Sequence, residues 1–173
     1  HNRVAVNYAE HATLTRLTAE AAGDAPLPAA EFATRVGAWL RKNHGYSLAP
    51  NMGSGDGDPL VRWLASREAG HCELFAGSFM LMARTAGFSA RVITGFKGGS
   101  WNAYSNNFTV RNSDAHAWAE IFDPVAGAWL QTDPLEAAAG AQTAQTRGEE
   151  ALARRVDRSW AARFDSLRGF GYR

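Results

Sequence analysis

Two rhythms divide the chain. Up to Gly87, apolar residues recur at intervals of three and four; from Ala90 they alternate or fall in short runs. Residues 7–22 are alanine-rich with Leu14 and Leu17 three apart, and Gly23-Asp24 closes a first helix. Pro26 and Pro28 break the chain, then Phe32, Val36, Trp39 and Leu40 follow helical spacing to about Asn43-His44-Gly45. Tyr46-Ser47-Leu48 reads as a short extended piece, and residues 49–58, with three glycines, as a mobile loop. Asp58-Pro59 is a helix start, the acid at the N-cap and the proline at the first helical position, with Leu60, Trp63 and Leu64 turned inward. Gly70-His71 interrupts, and another helix opens at Cys72. It is apolar nearly all round (Leu74, Phe75, Ala76, Phe79, Leu81, Met82, Ala83), which predicts a buried central helix ending at Gly87.

The second half predicts strands at Ala90–Phe96, Phe108–Val110, Ala115–Phe122 and Ala128–Thr132, with a Gly/Asn/Ser loop over 97–106 and a turn over 123–127. Pro134 ends the sheet. Leu152, Val156, Trp160 and Phe164 then repeat every four residues, an amphipathic helix over about 148–168. Helices first and an antiparallel sheet second give an α+β class, and 173 residues suit one domain, 1–173.

Composition narrows the function classes. Hydrophobic residues make up 46% and charged residues 20%, the balance of a globular chain rather than a disordered one. A formal net charge of +1 gives no reason to expect nucleic acid. Only 147–173 is locally basic, with seven arginines against four acids. Its bland reading is a solvated helix face; the sharper one is docking on a partner or an anionic membrane surface. The most apolar run, Leu74 to Ala83, would reach only about 15 Å as a helix, half a bilayer core. The chain begins with His1 and is expected to be a piece of a longer protein. No His/Cys/Asp/Glu cluster has metal-ligand spacing, and Gly53-Ser54-Gly55 lacks the lysine of a phosphate loop, so no metal and no cofactor are expected.

One cysteine, Cys72, excludes an internal disulfide and a thiolate-rich zinc site. Its bland reading is a small buried hydrophobe. Its place at a helix N-terminus points elsewhere: unpaired N–H groups and the helix dipole favour a thiolate there, and the thiolate is the nucleophile. Gly70 is expected to let the chain turn and a substrate backbone approach. If Ile121 pairs with Ala128, His116 lies opposite Asp133, Trp118 opposite Gln131 and Glu120 opposite Trp129, with opposed Cβ atoms about 5 Å apart. A carboxylate there would hold one ring N–H and leave the other nitrogen for a thiol. Taken singly, His116 also fits a half-buried strand histidine and Asp133 a turn residue before proline. His71 is a rival base, but adjacent helical residues do not face each other. His1, His11 and His44 read as surface or loop residues, and Glu73 as a first-turn acid.

Gly70-His71-Cys72-Glu73-Leu74-Phe75-Ala76 resembles the nucleophile motif of bacterial transglutaminase-like proteins. The stretch Arg84 to Gly95 resembles the segment that follows it, Asp114-Ala115-His116-Ala117-Trp118-Ala119-Glu120 the histidine motif, and Trp129-Leu130-Gln131-Thr132-Asp133-Pro134 the acid motif. Order and spacing agree over 70–134; Leu135 stands where the family often has threonine.

The resemblance implies a papain-like α+β fold with Cys72 as nucleophile, His116 as general base and Asp133 as its orienting acid. It implies an oxyanion hole that includes the Cys72 N–H, and attack on an amide of a protein or peptide substrate through a thioester. Water would resolve the thioester in peptide hydrolysis, an amine in crosslinking. It also implies an extracytoplasmic domain tethered to a membrane in the full-length protein. A different class of reading keeps the fold without turnover: a peptide-binding module presenting Trp101, Tyr104 and Trp118, or a structural domain. The 49–58 and 97–106 loops are the expected cleft walls.

Overall fold

The computed structural model describes residues 7–52 and 54–136. The expected helix over 148–168, and His1, lie outside the described residues.

Among the described residues, four helices precede the strands. The first, α1 (Tyr8–Ala22), starts at a reciprocal cap in which Asn7 accepts from the Glu10 N–H and the Glu10 carboxylate accepts from the Asn7 N–H. Helix α2 (Ala29–Asn43) buries Phe32, Val36, Trp39 and Leu40 on one stripe. Helix α3 (Pro59–Ser66) is capped by Asp58, whose Oδ1 accepts from Leu60 and Val61, with Pro59 at its first position. Helix α4 (Cys72–Thr85) is the central element, with Leu74–Phe79 and Leu81–Ala83 buried. It closes on Gly87 at φ 91°, a left-handed conformation that glycine adopts without a Cβ penalty.

The sheet has the order β1-β4-β5, all antiparallel, from β1 (Ala90–Phe96), β4 (Ala115–Asp123) and β5 (Ala128–Thr132). Helices α4 and α2 pack on it, α4 against both β4 and β1. Ala117, Ala119 and Ile121 are buried, and the two alanines let a helix approach closely. His116, Trp118 and Glu120 alternate with them on the other side of the pleat. The α+β class read from the sequence is the one observed.

Two expectations need correction. The residues 100–109, expected as loop followed by a strand at Phe108–Val110, form a hairpin of β2 (Ser100–Asn102) and β3 (Asn107–Thr109), with Trp101 opposite Phe108. It belongs to a second compact unit, separate from the helices and the three-stranded sheet. Ser-Trp-Asn gives no apolar alternation to read. The β4–β5 register also differs from the expected one: Asp123 pairs with Ala128 and Ile121 with Leu130, two residues further along. The cause is the Asp123 side chain, which accepts from the Val125 and Ala126 N–H groups at 2.9 and 3.3 Å. That tightens the turn and lets pairing run to Asp123.

Candidate active site

A two-residue shift keeps every side chain on its expected face, whereas a one-residue shift would not. Glu120 therefore lies opposite Gln131 rather than Trp129, and Asp133 follows the last paired residue of β5, diagonal to His116. The two still meet: His116 Nε2 lies 2.6 Å from Asp133 Oδ2, with side chains 15% and 7% exposed. A carboxylate oxygen accepts, so Nε2 carries the proton and Nδ1 of the neutral ring keeps its lone pair. The Trp118 ring stacks beside the imidazole, centroids 6.4 Å apart and 22° from parallel. Opposite His116 on β1 stands Gly95, where a Cβ would come within 3.0 Å of the Trp118 ring.

Asp133 is held from several directions. Its Oδ2 also receives Lys97 Nζ at 3.0 Å, and its Oδ1 accepts from the Leu135 N–H at 3.1 Å. Burial opposes ionisation of this carboxyl. The bonds from His116 and Lys97, the Lys97 charge and the Leu135 N–H outweigh it and hold the group below its ordinary range. Lys97 also pairs with Glu136, and Arg41 donates to the carbonyls of Pro134, at 3.0 Å, and Glu136. Lys97, Arg41 and Glu136 are absent from the sequence-level site. Lys97 was hidden in a glycine-rich loop. The signal that finds it is the β1–β4 register, which puts Phe96 opposite Ala115 and so brings Lys97 beside the chain entering β4.

Cys72 is the first residue of α4, partly exposed, after His71 in extended conformation at the N-cap. The first bonds back to the His71 carbonyl come from Leu74 and Phe75, at 3.0 and 3.3 Å. The N–H groups of Cys72 and Glu73 precede them, the donors a helix start leaves for an anion. His71 Nδ1 lies 3.9 Å from Glu73 Oε2, which turns it toward its own helix. The hydrogen bonds of the described residues join His116 to Asp133 but do not join Cys72 to His116.

Gly70 serves packing rather than the turn expected of it. Its N–H donates to the Gly45 carbonyl and its carbonyl accepts from Ser47, both at 2.9 Å. A Cβ there would fall 2.5 Å from the Trp63 ring. His44, expected at the surface, is only 4% exposed. It stacks on Trp63 with centroids 4.2 Å apart, and its Nδ1 lies 3.0 Å from the Glu68 carbonyl. Trp63 in turn meets Phe75, in the first turn of α4, at 5.4 Å. An aromatic cluster thus supports the helix end that carries Cys72.

Comparison with known proteins agrees with this architecture. The family model of the Transglutaminase-like superfamily matches residues 14–134, well over half the chain. A Pseudomonas aeruginosa protein-glutamine gamma-glutamyltransferase is 38% identical over 97 residues, covering 54% of this chain and 14% of that protein. Bacillus subtilis YebA is 29% identical over 85 residues, 47% of this chain and 11% of that protein. The crystal structure of the periplasmic domain of Pseudomonas aeruginosa TgpA bound to ethylmercury superposes with a TM-score of 0.59 and 30% identity, over 75% of this chain and 45% of that one. The chain therefore spans a small part of these curated relatives and under half of the solved domain. Among the described residues, no helix is long and apolar enough to cross a membrane.

Proposed function

Since the chain belongs to the transglutaminase-like superfamily, we propose that it transfers an acyl group from an amide through a thioester on Cys72. The observation that carries this reading is the 2.6 Å contact of His116 with a nearly buried, ionised Asp133, which leaves Nδ1 as a free base. His116 takes the thiol proton as Sγ attacks the amide carbon, and the N–H groups at the start of α4 receive the developing oxyanion. His116 then gives the proton to the leaving amine. Water or a second amine, deprotonated by the same ring, resolves the thioester and restores the thiol.

The name of the Pseudomonas relative favours a glutamine side chain as the acyl donor and a protein or peptide as its carrier. The likeness to a periplasmic domain favours an extracytoplasmic location, tethered to a membrane by the rest of the protein. A second reading, a binding module without turnover on the same fold, draws on the missing bond between Cys72 and His116. Resting sites often form such bonds only with substrate in place.

The test is incubation with a glutamine-containing peptide and a fluorescent primary amine, following ammonia release and peptide mass. Ammonia with amine incorporation identifies crosslinking, ammonia alone deamidation, and new peptide termini proteolysis. Cys72→Ala abolishes whichever is seen, and His116→Ala lowers it by about 10²–10⁴-fold, the usual share of a general base. The same products from Cys72→Ala, or none from the wild type, contradict the proposal.

A further inference from the structure

We propose that Lys97 is a positioning residue of this site, holding the Asp133 carboxylate through the same oxygen that receives His116. The inference rests on the reading of Cys72, His116 and Asp133 as the reacting set. Lys97 Nζ lies 3.0 Å from Asp133 Oδ2, and His116 Nε2 lies 2.6 Å from that atom. Asp133 therefore cannot swing its oxygen toward one partner without moving the other.

Lys97 is also fixed at its backbone. Its N–H donates to the Asp114 carbonyl at 2.8 Å, at the end of the 3-10 turn Asn112–Asp114 that leads into β4. One residue thus ties the approach to His116 to the exit from β5. Its ammonium is shared with Glu136, and Arg41 holds the carbonyls of Pro134 and Glu136 from α2. The charged groups facing Asp133 are therefore His116 from β4, Lys97 from the end of β1 and Arg41 from α2, with Glu136 on its own turn. Of these, Lys97 alone is a permanent cation in direct contact with the carboxylate oxygen that orients the imidazole. The Lys97 bond and charge add to the His116 bond in keeping this carboxyl ionised against the cost of burial. The carboxylate then keeps the same proton on Nε2 whether or not Nδ1 is protonated.

The experiment compares wild type, Lys97→Met and Lys97→Arg by two readouts. The first is the titration of the Asp133 carboxyl, followed by ¹³C NMR on aspartate-labelled protein. Lys97→Met moves its midpoint upward, and Lys97→Arg returns it toward wild type. The second is alkylation of Cys72 by iodoacetamide at pH 6, which falls about tenfold in Lys97→Met, the lower end of what one hydrogen bond to a charged group contributes, and recovers in Lys97→Arg. An Asp133 titration unchanged by Lys97→Met overturns the proposal, whether or not the thiol is reactive. So does an alkylation rate that ignores the substitution while the wild-type thiol is activated. A wild-type thiol no faster than free cysteine defeats the acyl-transfer reading by itself, and the Asp133 titration still decides whether Lys97 holds the carboxylate.

Discussion

His44 and His116 each keep one ring nitrogen against an oxygen, and the two oxygens differ in charge. His116 faces the Asp133 carboxylate. His44 donates from Nδ1 to the neutral Glu68 carbonyl, and its Nε2 is buried without a partner among the described residues. A proton on that nitrogen would meet no acceptor. Burial, and the nearby Arg67 charge, push His44 below its ordinary 6.5 against the pull of the Glu68 bond. The sign follows. Below about pH 6.5 the unfolded chain takes up a proton that the folded one refuses, so stability is full above that pH and falls as pH drops toward the folded value. Urea midpoints at pH 7.5 and pH 5 should show this loss in wild type and a smaller one in His44→Asn. Equal losses in both would place the acid sensitivity elsewhere. A histidine between helices reads as a surface residue in sequence, because nothing local announces that Trp63 will stack on it.

At the scale of elements, the position of Cys72 depends on how α4 begins. The chain before α4 is bound to the 45–47 segment through Gly70, and Gly70 lies against Trp63 of α3 with no room for a side chain. Trp63 cannot yield, since it is 1% exposed, stacked on His44, and bonded through its indole N–H to the Ala69 carbonyl at 3.2 Å. A Cβ at Gly70 would also stand 2.9 Å from Leu74 Cδ1, in the first turn of α4. Gly70→Ala should therefore cost about 1–3 kcal/mol, the range of overpacked cores, and slow Cys72 alkylation by shifting the helix start. A urea unfolding midpoint equal to wild type would show that the cluster can relax. The start of α4 at Cys72, the Asp58 cap and the strands at 90–96 and 128–132 were all legible, because capping chemistry and apolar period are local properties. The β4–β5 register was not, since it turns on the Asp123 side chain bonding inside its own loop. Of the β2–β3 hairpin, β3 was legible as the strand at 108–110 and β2 was not, because Ser-Trp-Asn inside a Gly/Asn/Ser stretch offers no alternation to read.

For the whole molecule, the helices supply Cys72 and the sheet supplies His116 with Asp133 at its end, the three residues of the proposed site. Helix α4 packs on β4, so the two halves of the proposed site sit on elements that share one core. His116 meets Asp133 in the observed register as in the expected one because a two-residue shift preserves faces. Lys97 is not legible in the sequence because the β1–β4 pairing that places it is long-range. In the proposed mechanism His116 activates Cys72, and the single cysteine makes that activation directly measurable. The measurement is the rate of Cys72 alkylation by iodoacetamide against pH, in wild type and in His116→Ala. The expected wild-type rate persists well below the free-thiol value of about 8.5 and is lost in the variant. A rate that tracks an ordinary thiol in both proteins, or no reaction in either, would contradict it.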